Sequence, residues 1–147
     1  MPYFPTRRAI LFGIPVLVLA TGVAAGFFSR SVPSDLDLAM SKATASGLYL
    51  AALAPVTEPV TVGPMHSWTV SLTDAAGAPI EAASISVDGG MPQHGHGLPT
   101  APAVTRSIGK GQFLIEGMKF NMSGWWVIDL SIDSAAGADT VTFNLML

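Results

Sequence analysis

Trp126, Ile128, Leu130 and Ile132 alternate with Val127, Asp129, Ser131 and Asp133. A period of two places one set of side chains on one face of an extended strand, and no helix reproduces it. The same rhythm runs through His66, Trp68, Val70 and Leu72 against Ser67, Thr69, Ser71 and Thr73. Ile85 and Val87 alternate with Ser84 and Ser86, within a strand expected over Ile80 to Val87. Phe113, Ile115 and Gly117 oppose Leu114, Glu116 and Met118, and Val141, Phe143, Leu145 and Leu147 read as a last strand. Turn sequences separate these runs: Asp74 to Pro79, Asp88-Gly89-Gly90, Gly109-Lys110-Gly111 and Ser134 to Asp139. Short strands with turns every 8–12 residues or so, and no amphipathic helix among them, specify an all-β fold. The expected architecture is an antiparallel β-sandwich of immunoglobulin-like type.

Such a fold occupies only the later part of the chain. After Arg7 and Arg8, Ala9 to Phe28 contains no charged residue, and Arg30 alone follows closely. Roughly 20 apolar residues cross a bilayer as a helix, and the basic flank stays on the cytoplasmic side. Residues 1–30 therefore read as an N-terminal transmembrane anchor, with the folded part in the periplasm or its extracytoplasmic equivalent. A cleaved signal peptide is the competing reading, because small-x-small sequences at Ala20-Thr21-Gly22 and Gly22-Val23-Ala24 follow the most apolar stretch. The pair Arg7-Arg8 also fits a twin-arginine export signal. Residues 31–59 read as a linker with a short helix from Ser34 or Asp35 to about Ala45, then the apolar run Leu48 to Leu53 and a proline-punctuated connector. Residues 60–147 are the expected sandwich domain.

The chain has no cysteine, so disulfides, thiolate metal sites and cysteine nucleophiles are excluded. A core must come from aromatic and aliphatic packing, for which Trp68, Trp125, Trp126, Phe113, Phe120 and Phe143 are available. From Ser31 onward four basic side chains face ten acidic ones, a net charge of −6. That balance argues against nucleic acid and against an anionic membrane surface as a partner. No Gly-x-Ser-x-Gly, phosphate-cradling glycine loop or dinucleotide fingerprint occurs, and an enzyme is not indicated. Asn121-Met122-Ser123 fits a glycosylation sequon, relevant only where the source glycosylates.

Met91-Pro92-Gln93-His94-Gly95-His96-Gly97 holds two of the three histidines, and no residue from Gly89 to Pro102 is charged. His94 and His96 are two apart; in extended backbone both rings project to one face and can reach one ion. Met91 precedes them closely, while Met118 and Met122 share strand parity with Phe120. Met65-His66 places another thioether beside an imidazole. Thioether with imidazole is the donor set that selects copper, with Met favouring Cu(I). The candidate metal ligands are therefore His94, His96, Met91, Met122 and Met118, and the candidate cofactor is copper. The plain alternatives are core filling for the methionines and a solvated turn for the histidines.

The run Val87 to Gly97, followed by Gly111-Gln112-Phe113, Gly117-Met118-Lys119-Phe120-Asn121-Met122 and Gly124-Trp125-Trp126, resembles the YtkA-like/FixH-like family. The resemblance covers roughly Val60 to Leu147. It implies a small, often membrane-anchored extracytoplasmic β-sandwich, some members being associated with copper handling or cytochrome oxidase assembly and some resembling copper-resistance domains. Where other members have Met in the turn, this chain has His94, which leaves the preferred copper oxidation state open. The function expected is copper delivery or buffering by ligand exchange with an envelope partner. A non-catalytic structural or interaction module without metal is the alternative.

Overall fold

A computed structural model describes residues 31–147. Two antiparallel sheets enclose one core. The five-stranded sheet has the order β1-β2-β3-β7-β6 and the four-stranded sheet β5-β4-β8-β9. In chain order the strands are β1 Ser41–Ala43, β2 Leu50–Pro55, β3 Met65–Thr73, β4 Ala83–Met91 and β5 His96–Gly97. They continue with β6 Ala103–Gly109, β7 Gln112–Lys119, β8 Trp125–Ser134 and β9 Gly137–Met146. The order β2-β3-β7-β6 opposite β4-β8-β9 is the strand order of the immunoglobulin arrangement. The anchor or signal segment expected in residues 1–30 lies outside the described residues. Among the described residues no helix is long and apolar enough to cross a membrane.

The alternating runs bury the faces expected of them. Trp126, Ile128, Leu130 and Ile132 meet Trp68, Val70, Leu72, Phe113 and Ile115 in the core, where all are almost fully buried. An antibody domain ties its second and sixth main strands together with a disulfide. Here β3 and β8, which hold those places, contribute Trp68 and Trp126, and Phe120 lies edge-on to both at centroid distances of 6.5 and 5.2 Å. Ring packing of this kind adds about 0.5–1.5 kcal/mol per pair beyond the buried area.

Three expectations are corrected. No helix forms between Ser34 and Ala45: Ser41–Ala43 pairs with β2, and Leu53 N–H donates to Met40 O at 2.9 Å. Residues 36–40 are irregular and lead directly into β1, with Leu38 50% exposed. The sheets therefore begin within the segment read as a linker. Second, Asp88-Gly89-Gly90 does not end β4. The strand runs on to Met91, and its glycines admit neighbouring backbone, since a Cβ would lie 2.3 Å from Val127 O at Gly89 and 2.3 Å from His96 O at Gly90. Third, the parity of β7 changes at Gly117. His66 pairs Met118 while Trp68 pairs Ile115, so β7 carries one extra residue, with Gly117 at φ +86°. Through this bulge Met118 and Phe120 face the core together with Phe113 and Ile115.

At the end of the sandwich away from the histidines, Asp139 is buried beneath the β1–β2 connection. Its carboxylate accepts from the Thr44 hydroxyl at 2.6 Å and from the backbone N–H groups of Ser46 and Leu48. The Thr44 hydroxyl, with those N–H groups and that of Thr140, holds the carboxyl at about 2, below the usual 3.8, against the opposing effect of burial.

Candidate metal centre

All three histidines lie at one end of the sandwich, where β4 turns into β5, β7 passes to β8 and β3 begins. Met91 O accepts from His94 N at 3.1 Å and from Gly95 N at 2.9 Å, closing a tight turn. The chain then returns as β5 in the register Gly90↔Gly97 and Met91↔His96. His94 is thus in a turn and not extended as the spacing suggested. The turn nonetheless stacks its ring on that of His96, with centroids 5.9 Å apart and planes 22° from parallel. Both histidines are exposed.

Beneath this pair the cross-strand partner of His96 is Met91, and partners directly opposite in an antiparallel ladder share a face. Met91 is 1% exposed. Its methyl packs under the β7–β8 connection, where a Cβ at Gly124 would lie 2.9 Å from Met91 Cε. The edge of His96 meets Trp126 at a centroid distance of 5.9 Å.

A second imidazole–thioether pair stands in the other sheet. His66 on β3 is in register with Met118 on β7, which is 0% exposed, and its ring lies 6.2 Å from Phe120. The rings of His66, Phe120, Trp126, His96 and His94 therefore form a continuous row across both sheets. Met122 follows the end of β7 and does not continue its parity. It is 37% exposed, and its carbonyl accepts from Trp126 Nε1 at 3.0 Å.

The tautomer of His96 follows from its partner, because a carbonyl only accepts. His96 Nδ1 lies 3.0 Å from Gly97 O, so Nδ1 carries the proton and Nε2 keeps its lone pair. Backbone carbonyls fix metal-ligating imidazoles in this way. His66 Nε2 lies 2.8 Å from Thr61 O and 3.4 Å from Thr61 N, two contacts that call for opposite tautomers. Among the described residues no three His, Asp or Glu side chains converge. The further side-chain donors near the two histidines are thioethers, which suit a soft ion.

Of the residues singled out in the sequence, the structure brings His94, His96 and Met91 together. Met122 joins their surroundings through Trp126, and Met118 sits instead with His66. Three features were not anticipated. Trp126 and Phe120 act as a floor beneath the histidines, and their inward parity was the available signal. The pairing of His66 with Met118 depends on the Gly117 bulge, which alternation alone conceals. Trp125, counted among the core aromatics in the sequence, lies opposite in parity to Trp126 and donates from Nε1 to Asn144 Oδ1 at 3.0 Å on the outer face.

A YtkA-like family model matches residues 45–131, more than half of the 147-residue chain. The chain belongs to the YtkA-like family. The matched region starts ahead of Val60, takes in β2 through β7 and ends within β8, so every candidate ligand falls inside this YtkA-like domain. No curated protein and no solved structure matches the chain.

Proposed function

We propose that this YtkA-like protein is a membrane-anchored extracytoplasmic copper-binding protein that buffers copper or delivers it to an envelope partner. The observation that carries the reading is the stacked, exposed pair His94 and His96, with the Met91 thioether opposite His96. His96 offers Nε2 with its tautomer set by Gly97 O, and His94 offers a second imidazole from a turn that can be displaced without disturbing the sheet. Met91 would serve as the fixed soft donor and Met122 as an accessible one. Met118, buried opposite His66, acts chiefly in packing. Exposed imidazoles suit a carrier, because an incoming ligand can replace them one at a time. Neutral donors leave the ion its full charge, and the net −6 of the domain offsets it. Copper is cargo in this reading and no reaction is catalysed.

Titration of the full chain in detergent with Cu(I) and with Cu(II), against a competing chelator, tests it. Binding tighter than micromolar is expected for at least one oxidation state, with tryptophan emission quenched because Trp126 adjoins His96. His94→Ala and His96→Ala should each weaken binding by about tenfold or more, a loss of about 1.4 kcal/mol or greater. Micromolar or weaker affinity that the double substitution leaves unchanged would favour an interaction module without metal.

A further inference from the structure

We propose that the histidine end of the sandwich faces the bilayer, with Val62 and Met65 resting in the lipid interface and the copper site held close above it. The proposal rests on the reading of Ala9–Phe28 as a membrane segment, and the path of the chain decides the orientation. β1 runs away from the histidine end, since Ser41 pairs with Ala52 and Ala43 with Leu50, while Pro55 lies opposite Trp68. Traced backwards from Ser41, the chain therefore heads toward the histidines. Asp37 O accepts from Asn144 Nδ2 at 2.8 Å, and Asn144 pairs with Val127, which pairs with Gly90 beside the Met91 turn. The segment leading to the apolar run thus leaves the domain at the histidine end.

Reach then decides between the two upright orientations. Nine peptide steps separate Phe28 from Asp37, and at about 3.3–3.6 Å each they span some 30 Å when fully extended. β9 has ten residues and is itself roughly 33 Å long at about 3.3 Å per residue. Turning the domain over would oblige the tether to double back along the whole sandwich with every residue stretched. Ser34 and Asp35 already form a turn, so that reach is not there. Holding the histidine end downward needs no reach at all.

The surface agrees. Around the histidine end Val62 is 41% and Met65 62% exposed. The segments 59–73, 91–105 and 120–128 contain no charged residue. The outer face of the four-stranded sheet instead carries Asp88, Asp129 and Asp133, the first two in register, so lying on that side would press carboxylates against anionic lipid. Apolar side chains at this end, with Lys119 in register with Met65 and the Asp37 carboxylate paired with Lys42, suit the boundary between headgroups and acyl chains. A copper partner would then present its own site within a short distance of the membrane surface.

The absence of cysteine makes the test direct. Val62→Cys and Met65→Cys at the histidine end, and Ala76→Cys and Ala135→Cys in the opposite turns, each take one fluorophore. The full chain is reconstituted in phosphatidylcholine–phosphatidylglycerol vesicles containing spin-labelled lipid. Quenching several-fold stronger at 62 and 65 than at 76 and 135 is expected. Equal quenching at all four positions, whether strong or weak, or the reverse order, overturns the proposal. Alkaline extraction of the same vesicles separates the causes of failure: a chain that washes off refutes the anchor, whereas a retained chain with the wrong pattern refutes only the orientation. Copper affinity in detergent is independent of both outcomes.

Discussion

Substituting Gly117 by alanine weighs backbone strain against core burial. Gly117 sits at φ +86°, and a Cβ there would approach nothing closer than Pro102 Cα at 3.7 Å, so the methyl has room. The cost is conformational, about 1–2 kcal/mol for an L-residue held in the left-handed region. The chain could escape that strain by flattening the bulge, but Met118 and Phe120 would then exchange the core for the outer face. Exposing two such side chains costs roughly 1.5–3 kcal/mol each, and the edge-on contacts of Phe120 with Trp68 and Trp126 would go as well. Strain is the smaller loss, so the bulge should persist. The expected outcome is a melting temperature lower by roughly 5 °C per kcal/mol lost, with tryptophan emission and copper affinity unchanged. Gly117→Asn should lose less, because asparagine tolerates this region better. Thermal melts of both variants, followed by circular dichroism and by emission, check it. A Gly117→Ala protein as stable as the parent, or one whose tryptophans become exposed, would refute the reasoning.

Gly90→Ala should detach β5, because its Cβ would lie 2.3 Å from His96 O. Only a two-residue ladder is lost, about 1–2 kcal/mol, yet copper affinity should fall by about tenfold or more; a melt paired with a titration separates the two effects. Met118→Leu should cost less than about 1.5 kcal/mol and leave copper affinity intact, whereas Met91→Leu should fold comparably and bind more weakly, as competition titrations can establish. Asp139 ionises more readily in the folded chain than in the unfolded one, so the stability it contributes is complete above its ordinary value of 3.8 and is lost as pH falls through about 2. Asp139→Asn should therefore lower stability at neutral pH and flatten the fall in stability between pH 4 and 2, measured by urea unfolding at a series of pH values.

Much of this architecture was legible in the alternation of residues. Trp126 to Ile132 and Trp68 to Leu72 are buried every second position, as period two requires. What was hidden depends on contacts distant in sequence. Ser34 and Asp35 resemble helix caps, and only the pairing of Ser41–Ala43 with β2 reveals their segment as the approach to an edge strand. Gly89-Gly90 resembles a break because its purpose, room for the carbonyls of Val127 and His96, belongs to other strands. The candidate ligands divide similarly. His94, His96 and Met91 are neighbours in sequence and in space, while the partnership of His66 with Met118 requires a bulge that shifts register by one residue.

A sandwich without cysteine must hold its sheets together by packing, and that requirement shapes the site. Trp68, Phe120 and Trp126 occupy the middle of the core, where cross-sheet contacts are closest. Two of these rings extend to the end of the sandwich and meet His66 and His96. The imidazoles are consequently seated on side chains that the core has already immobilised, and little further ordering is needed when they take a ligand. The turn bearing His94 stands outside this arrangement, fixed by its two hydrogen bonds to Met91 O. On the proposed reading, His96 would be the seated donor that retains the ion, and His94, carried by a turn outside the sheet, would be the donor that gives way to the partner.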